Sequence, residues 1–513
     1  MTREGEDRIY RFYDNLPSMS VLRSVLNTQE RIRSLQEMLT EEDAPCIPEN
    51  GHLLLFSCCN DNTLRIARSA PRDVSGILFA CEHDALPASL AESVKAADAL
   101  CIAASVENLF DVLLESDAVI EVFLFDASEE SNLRHLSLLC RILETHPGAE
   151  VQIHVELERA PYGLYDDLSA RFGLTPGGKP VIHPVRTAER YAEDLFLSES
   201  IFENTRDDAE NGCRQIRFLI VGMNARSLAV LKTLLPLAQM PGYRLRVLVL
   251  DPAPGGWDRL CRLIPEIDRA GGEGDALYEL HYFDPVDLST DAPRETLCRY
   301  LADPTHAYID TGDDLTDFEL ALRLRTLCAR FGDAASCRIL VRTEADEFAR
   351  DMSSQLTEHL TFVGARAHVY DYSILSAPPL ASAAAAIWHL QHPENGSEHI
   401  ADEYCFHAMC ERILSYRYKQ RIIDADHGGD HTLTSTDRTW LLYEHMRWNV
   451  FTRMMGYRCA GDFISGSSLS NERDRRIAML HGSLVEYDAL SPEEQEKDAF
   501  VLNDEILRIL KNL

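Results

Sequence analysis

The residues best suited to chemistry lie at the end of an apolar stretch in the middle of the chain. The run F-L-I-V ends at Gly222 and continues as M-N-A-R-S, where a helical pattern begins. A strand, a glycine turn and a helix in this order can hold a diphosphate, because the helix N terminus offers free N–H groups and a positive dipole end. The full pattern is G-x-G-x-x-G. Here Gly222 keeps the first position, Asn224 takes the second and Ser227 the third.

Two acids and one arginine complete the predicted nucleotide site. Asp251 ends the run V-L-V-L-D, where a dinucleotide-binding fold places the carboxylate that holds ribose hydroxyls. Its separation from Gly222 exceeds the roughly 20 residues expected, because the helix between them is long. Arg226 can reach a phosphate, and Asp310 ends a further strand at the same edge of the sheet. The predicted ligand of this site is a nucleotide, and the residues predicted to contact it are Gly222, Asn224, Arg226, Ser227, Asp251 and Asp310.

Strands alternate with helices along two stretches of the chain. The first begins at His52 and includes E-V-F-L-F-D, which ends at Asp126, and the second includes A-Y-I-D, which ends at Asp310. We match residues 123–126 with 307–310, and the helices that follow carry apolar residues at the same offsets. Such alternation indicates a parallel sheet covered by helices. The predicted fold class is α/β, with two tandem doubly wound Rossmann-like domains.

The first stretch keeps less of the nucleotide site than the second. Ser57 takes the position of Gly222 and is followed by C-C-N, and no acid clearly ends the second strand. We interpret this copy as a degenerate, structural partner. Residues 195–215 are polar and acidic, which favours a domain boundary there.

Charge and hydropathy restrict the class of protein. A formal net charge of -33 disfavours nonspecific binding to nucleic acid or anionic membranes, since phosphates would be repelled. The longest apolar runs are strand length, well short of the roughly 18–20 residues that cross a membrane, and the N terminus lacks the core of a signal peptide. The 14 cysteines are therefore expected to be reduced thiols in a cytoplasmic protein. Cys405, His407 and Cys410 fit no standard zinc spacing, so no metal is predicted.

The glycine turn at Gly222, the acid at Asp251 and the segment I-D-T-G-D-D at 309–314 form a set. Together they make residues 50–375 resemble the TrkA-N or KTN-like Rossmann domains of potassium transport. The resemblance implies binding of NAD(H) or an adenine nucleotide, and a report of occupancy to an attached partner. Because such domains commonly pair, it also implies a homodimer. The chain departs from the family pattern at Asn224 and Ser227.

A second set of residues lies near the C terminus. It consists of W-L-L-Y-E-H-M-R-W-N-V-F-T-R-M-M-G-Y-R at 440–458 and M-L-H-G-S-L-V-E-Y-D-A-L-S-P-E-E-Q-E-K-D at 479–498. This part resembles the ryanodine-receptor (RyR) repeat domain of prokaryotic proteins. The matching positions are Glu444, His445, Arg447, Trp448, Gly456, Tyr457, His481, Leu484, Val485, Tyr487, Lys497 and Asp498. The resemblance implies a module that binds a second ligand or a protein partner, with contacts from Glu444, His445, Arg447, Trp448, Tyr457 and Tyr487.

The same C-terminal residues also allow plainer interpretations. An aromatic stripe recurs at spacings of three to four, and a stripe of this kind is usually core. Its positions are Trp440, Tyr443 or Glu444, Arg447 or Trp448, and Phe451. Glu444 and Arg447 are three residues apart on one helix and can simply pair. The alternative is a pocket with aromatic walls and Arg447 or His445 at its mouth, suited to a nucleotide-like anion.

The sequence thus predicts five parts. They are an N-terminal helical arm (1–48), a degenerate Rossmann-like domain (49–200), a nucleotide-binding Rossmann-like domain of the TrkA-N/KTN type (212–378), a helical connector (379–433) and an RyR-like domain (434–513).

The predicted function is that of a cytoplasmic nucleotide-binding sensor that binds NAD(H) chiefly through the second Rossmann-like domain. The first alternative is an NAD(P)-dependent oxidoreductase or nucleotide-processing enzyme, which would need a general acid or base such as His281 or Asp310. The second is an interaction scaffold whose Rossmann folds are empty. No placed acid–base pair is visible in the sequence, so no catalytic residue is predicted.

Overall fold

The computed structural model contains two compact units, each built on a parallel β-sheet. It describes residues 51–81, 88–146, 148–158, 181–267, 278–288, 290, 296, 301, 304–330, 337–344, 360–364, 366, 369–391, 403–427, 433–434, 438–460, 478–498, 501–502 and 504–513. The predicted N-terminal arm, residues 1–48, lies outside this range.

The first sheet has six parallel strands in the order β3-β2-β1-β4-β5-β6. They are β1 (His52–Phe56), β2 (Gly76–Ala80), β3 (Leu100–Ile102), β4 (Val119–Leu124), β5 (Val151–Glu156) and β6 (Val181–Val185). Helices connect the first five of them: α1 (Asp61–Ser69), α2 (Ala88–Ala96), α3 (Val106–Leu113) and α4 (Glu129–Leu143). The strand order reverses between β1 and β4, as in a doubly wound sheet.

Both faces of this sheet are covered, which explains the continuous apolar runs in its strands. Leu53 and Leu55 belong to the core on one face, whereas Leu54 and Phe56 belong to the core on the other. The Phe56 ring stacks on Phe123 of the neighbouring strand, with 4.9 Å between ring centroids. Burial on both faces fixes the register of the strands, because a slip by one residue would exchange the two cores.

The second sheet repeats this order as β10-β9-β8-β11-β12-β13, and β7 joins β8 in antiparallel fashion. Its strands are β7 (Arg206–Asp208), β8 (Cys213–Val221), β9 (Tyr243–Leu250), β10 (Glu279–Phe283), β11 (His306–Ile309), β12 (Arg338–Arg342) and β13 (Leu360–Val363). Its helices are α5 (Thr187–Ser198), which precedes β7, α6 (Ala225–Leu237), α7 (Gly256–Leu263) and α8 (Asp314–Arg330). The prediction of two tandem doubly wound sheets is therefore confirmed.

The register of the two sheets corrects one detail of the internal repeat. Phe56 pairs with Phe123, and Val221 pairs with Ile309. Phe56 and Val221 each precede the turn residue of their unit, so Asp310 corresponds to Leu124. The match of residues 123–126 with 307–310 is thus two residues out of register.

The division between the units lies at Val185 and Arg186 rather than at 195–215. The second unit consists of residues 186–369 and 376–513, and the first unit regains residues 370–375. Helix α5 belongs to the second unit because its apolar face packs against α6. The polar composition of residues 195–215 reflects the exposed loop and edge strand that follow α5, not the unit boundary.

Residues 370–375 complete the first unit through two tyrosines. The Tyr372 hydroxyl donates to Glu121 Oε2 at 2.7 Å, and the Tyr370 hydroxyl donates to Glu156 Oε1 at 3.0 Å. Both acceptors lie on strands of the first sheet. This segment therefore supplies two hydrogen bonds to a sheet that ends nearly two hundred residues earlier in the sequence.

Glu121 lies at the centre of a buried polar group in the middle of β4. Its two carboxylate oxygens lie 2.6 Å from His154 Nε2 and 3.0 Å from His52 Nε2. Burial raises the pKa of Glu121, but the hydrogen bonds with His154, His52 and Tyr372 outweigh it and hold the pKa far below its usual range. The charge of Glu121 is thus accommodated inside the unit by these partners.

The C-terminal part of the second unit is mainly helical. It follows α9 (Tyr372–Ser376), which lies in the first unit except for its last residue. Its own helices are α10 (Pro379–Gln391), α11 (Glu403–His427), α12 (Arg438–Met454), α13 (Pro492–Lys497) and α14 (Asp504–Lys511). Two short strand pairs accompany them: β14 (Leu433–Thr434) with β17 (Val501–Leu502), and β15 (Arg458–Cys459) with β16 (Leu480–His481). Helix α12 packs on α6, the helix that follows Gly222.

The expectation of reduced cysteines is contradicted at two positions. Cys81 and Cys101, at the ends of neighbouring strands β2 and β3, form a disulfide. Sequence spacing gave no sign of it, because a parallel sheet brings together residues separated by a whole helix. None of the helices in the described ranges combines the length and apolar character that a membrane span requires.

Candidate functional site

Gly222 occupies a turn that admits only glycine. Its φ of +87° lies in the region that L side chains rarely adopt, and a Cβ there would lie 2.2 Å from the Asp310 carbonyl oxygen. Its N–H donates to the Leu250 carbonyl at 2.9 Å. The turn is thus held between the ends of β9 and β11, at the point where the strand order reverses.

Asn224 caps the helix that follows the turn. Its Oδ1 accepts hydrogen bonds from the N–H groups of Arg226 at 2.9 Å and Ser227 at 3.0 Å, and its Nδ2 donates to the Asp310 carbonyl at 3.2 Å. The second position of the predicted motif therefore does two things. It satisfies the helix N terminus from within the chain, and it ties the turn to the end of β11.

Arg226 does not point freely toward a phosphate position but pairs with Asp310. Its Nε and Nη2 lie 2.9 and 3.2 Å from the two carboxylate oxygens, and the Tyr308 hydroxyl donates to the same carboxylate at 3.1 Å. Asp310 is fully buried. Burial raises its pKa, but the hydrogen bond and charge of Arg226, with the charge of Arg342, bring the pKa below its ordinary value. Asp310 is therefore a buried carboxylate anion.

Asp251 lies beside the turn and is 1% exposed. It accepts hydrogen bonds from the Tyr282 hydroxyl at 2.7 Å and from the Ala253 N–H at 3.0 Å. Gly256 permits this packing, because a Cβ there would lie 2.3 Å from both the Asp251 carboxylate and the Tyr282 hydroxyl. Tyr282 is a site residue that the sequence did not reveal, since a tyrosine in an edge strand carries no signal of its partner.

Ser227 takes the third motif position and is fully buried under the turn. Its small side chain allows close packing of α6 on the sheet, as predicted for this position. Within the described ranges its hydroxyl oxygen has no hydrogen-bond partner. The structure thus brings Gly222, Asn224, Arg226, Ser227 and Asp310 to one point and places Asp251 on the adjacent strand.

The first unit uses a related construction at its own turn. Asn60 caps α1 by accepting from the Thr63 N–H at 2.9 Å, and its Nδ2 donates to the Phe125 carbonyl at 2.9 Å. Ser57, at the position of Gly222, donates its hydroxyl to Asp126 at 2.6 Å. A capping asparagine that reaches the end of the fourth strand is therefore common to both units. The glycine turn with an arginine–aspartate pair belongs to the second.

Glu444 and Arg447, predicted as ligand or partner contacts, lie inside an ion-pair network. Arg447 donates to Glu444 at 2.8 and 3.1 Å, and Lys419 Nζ of α11 donates to the same carboxylate. Arg447 also pairs with Glu411 of α11. Glu444 is 1% exposed and Lys419 is fully buried. These charges join α11 to α12, and the simple pairing of Glu444 with Arg447 is present.

The other four predicted C-terminal residues lie toward residues 481–487. His445 Nε2 bonds to the Val485 carbonyl at 2.8 Å, and its ring centroid is 5.8 Å from those of Trp448 and Tyr487. The Trp448 ring is 4.8 Å from His481, and Tyr457 is 6.4 Å from His481. Helix α12 therefore presents one set of residues to α11 and an aromatic set to the short strand at Leu480–His481.

The groups named for an enzymatic alternative are engaged in pairs within the fold. His281 Nε2 lies 2.8 Å from Glu279 on the edge strand β10, and Asp310 is held by Arg226. Within the part of the chain that the structure describes, no cluster of three or more histidine, cysteine, aspartate and glutamate residues could hold a metal ion.

No protein-family model matches the chain, and no curated protein matches it. Among solved structures it is similar to the GsuK channel bound to NAD, with 13% identity, a TM-score of 0.37, and coverage of 71% of this chain and 66% of that one, slightly under two thirds. It is also similar to a dipicolinate synthase polypeptide from Bacillus halodurans (8% identity, TM-score 0.22, 64% and 93% covered). A third is the corresponding dipicolinate synthase polypeptide from Bacillus subtilis (9%, 0.22, 74% and 98%). Because these TM-scores are low, the ligand has to be inferred from this chain's own residues. The chain forms two Rossmann-like sheets, and the second has a glycine turn at its switch point.

Proposed function

We propose that the second unit binds a nucleotide, NAD(H) or another adenine nucleotide, at the Gly222 turn, and that the protein is a sensor of that nucleotide. The observation that carries this proposal is the close approach of Gly222 to β11, where a Cβ would lie 2.2 Å from the Asp310 carbonyl. A turn that excludes every side chain, followed by a helix N terminus at the switch point of the sheet, is suited to a diphosphate.

Binding at this turn requires an exchange of partners. A diphosphate would replace Asn224 Oδ1 on the N–H groups of Arg226 and Ser227, and the Arg226 guanidinium would turn from Asp310 to the phosphate. Asp251 would accept the ribose hydroxyls beside Tyr282. The Arg226 exchange changes a bond between α6 and the end of β11, so occupancy alters how the turn is held. This coupling favours a sensor over a passive carrier.

The C-terminal part is proposed to be the RyR-like module of the sensor. Its candidate contact surface is the aromatic set His445, Trp448, Tyr457 and Tyr487, to which a second ligand or a protein partner binds. Helix α12 of this module packs on α6. A change at the N terminus of α6 can therefore reach the module through one helix. A cytoplasmic homodimer is proposed from the KTN-like character of the chain alone.

Gly222→Ala tests the nucleotide site, because the added Cβ collides with the Asp310 carbonyl in a positive-φ turn. Calorimetric titration of the full chain with NADH, NAD and ADP should show binding by the wild type. Binding should weaken about tenfold or more in the variant. Ser57→Ala, at the equivalent turn of the first unit, is the matched control and should bind as the wild type does.

Asp251→Asn provides a second variant that does not depend on the glycine turn. It should weaken the binding of adenine nucleotides that carry free ribose hydroxyls. The fold should stay intact, because the amide oxygen accepts from the Ala253 N–H and the amide nitrogen can donate to the Tyr282 hydroxyl. A wild-type protein that binds none of the three nucleotides would refute the proposal. If the protein oxidised NADH with a substrate and a single side-chain change abolished this turnover, the protein would be an enzyme and the sensor hypothesis would be wrong.

A further inference from the structure

Three arginines gather at the carboxyl ends of the strands beyond the Gly222 turn. Arg226 is the second residue of α6, Arg342 is the last residue of β12, and Arg366 follows β13. All three charges lower the pKa of one carboxylate, that of Glu344, and outweigh the effect of burial, which raises it. The carboxylate of Glu344 is therefore stabilised by three guanidinium charges at the carboxyl edge of β11–β13, next to the proposed nucleotide site.

Arg342 is the most deeply placed of these arginines, with 3% of its surface exposed. Its Nη2 donates to Glu344 Oε1 at 2.6 Å, and its Nη1 lies 3.6 Å from Asp314 Oδ1. Among the described residues, its Nε is buried and donates to no partner. A buried guanidinium with an unused donor at a ligand-binding edge has capacity for a further acceptor.

Glu344 is the accessible member of the group. Its side chain is 44% exposed, and its second carboxylate oxygen accepts from Arg366 Nη2 at 3.3 Å. Its backbone N–H is held separately by Asp314 at 3.0 Å. The carboxylate can therefore leave while the backbone stays in place. A carboxylate gripped by two guanidiniums and open to solvent has the arrangement of a bound anion.

Charge balance also favours replacement of the Glu344 carboxylate by another anion over an empty subsite. Asp310 neutralises Arg226, and Asp314 lies nearest to Nη1 of Arg342. Loss of Glu344 from its place removes one counter-charge from beside Arg342 and Arg366. Another anion entering from solvent restores the balance without any change in the strands.

We propose that Arg342 and Arg366 form a subsite for a second acidic group of the bound nucleotide, and that Glu344 fills this subsite until the ligand displaces it. The inference rests on the proposed function, because it extends the same site along the sheet. β12 lies two strands from β8, so the subsite is about 10 Å from the diphosphate position across the strands. The ligand class is thus a nucleotide with a diphosphate and a carboxylate or phosphate about 10 Å beyond it on the side away from the adenosine.

Titration of the full chain with a set of probes tests the subsite. ADP has only the diphosphate, NAD adds a nicotinamide ring that carries no acidic group, and nicotinic acid adenine dinucleotide places a carboxylate on that second ring. NADP has its extra phosphate on the adenosine side and is the matched ligand control. Inorganic phosphate distinguishes a free anion from a group on the nucleotide.

Glu344→Gln should bind the carboxylate-bearing dinucleotide about tenfold more tightly than the wild type, as expected if the subsite is vacant about a tenth of the time. Arg366→Gln should weaken the same ligand by a similar factor. Both variants should bind ADP and NADP within about twofold of the wild type. Thermal melting identifies a variant that has lost its fold. The binding data of the other variant then test the subsite.

If Glu344→Gln bound inorganic phosphate more tightly but not the carboxylate-bearing dinucleotide, the anion subsite would stand and its ligand would be a free anion. If both variants bound the carboxylate-bearing dinucleotide as the wild type does, the subsite proposal would be wrong. Binding of ADP in the same experiment would still support the nucleotide site. If the wild type bound no nucleotide at all, the proposed function itself would fail.

Discussion

One buried histidine, His306, makes the stability of the second unit depend on pH. His306, the first residue of β11, is 1% exposed, and its ring stacks on Phe218 with 5.8 Å between centroids. Burial, with the charge of Arg338, lowers the pKa of His306 to about 4, against a weaker opposing effect of its hydrogen bond with the Ser200 carbonyl. A lowered pKa means that the folded chain disfavours the protonated imidazole.

The stability contribution of His306 is therefore present above pH 6.5 and is lost as the pH falls toward 4. The gap between the two pKa values corresponds to about 3 kcal/mol of unfolding free energy. His306→Gln, which keeps a donor for Ser200 but does not titrate, should lose less stability than the wild type over this range. Urea unfolding at pH 8, 6 and 4 measures the difference, with pH 8 as the internal reference. Parallel profiles for the two proteins would contradict the assignment.

At the scale of elements, the two capping asparagines give a matched pair. Asn224→Ala and Asn60→Ala each remove the N-terminal cap of a helix, which should cost about 1 kcal/mol of unfolding free energy. Saturating nucleotide should offset the loss only for Asn224→Ala, because a phosphate takes over the freed N–H groups of α6. Thermal melts with and without nucleotide measure this. An equal gain in melting temperature for both variants would show that the Asn224 cap is not part of the nucleotide site.

The ion pairs between α11 and α12 predict a larger effect. Glu444→Gln leaves Lys419, which is fully buried, without its carboxylate, and breaking a buried pair costs about 3–5 kcal/mol. Asp488→Asn makes the same chemical change in an exposed pair with Arg438 and should cost about 0.5 kcal/mol or less. Denaturant unfolding of both variants compares them. Similar losses would show that the buried charges do not hold the two helices together.

How far the sequence predicted these elements depended on the range of the interaction. Strand runs, the Gly222 turn and the terminal acids are local signals, so the doubly wound class of both sheets and the position of the turn followed from them. The partner of Arg226 lies 84 residues away, and that of Tyr282 lies 31 residues away. Such partners depend on how strands align and helices pack. The same holds for Lys419 with Glu444 and for the disulfide between Cys81 and Cys101.

At the scale of the whole molecule, the two units share an architecture but not a site. Both sheets have the same strand order, and both turns are capped by an asparagine that reaches the fourth strand. Only the second turn has a glycine at the point of closest approach and a bidentate arginine–aspartate pair beside it. Nucleotide binding should accordingly occur once per chain, and a titration stoichiometry of two would require a site in the first unit.

Residues 370–375 bear on how the chain can be divided. A polypeptide that stops at residue 185 contains every strand of the first sheet but lacks the hydroxyl that Tyr372 donates to Glu121. Tyr372→Phe in the full chain should reproduce part of that defect, with a loss of about 1–2 kcal/mol of unfolding free energy. Tyr370→Phe, whose partner Glu156 is only half-buried, should cost less. The first unit is thus discontinuous in the gene, and its autonomous form is a fusion in which residues 370–375 are joined by a linker to its C-terminal end.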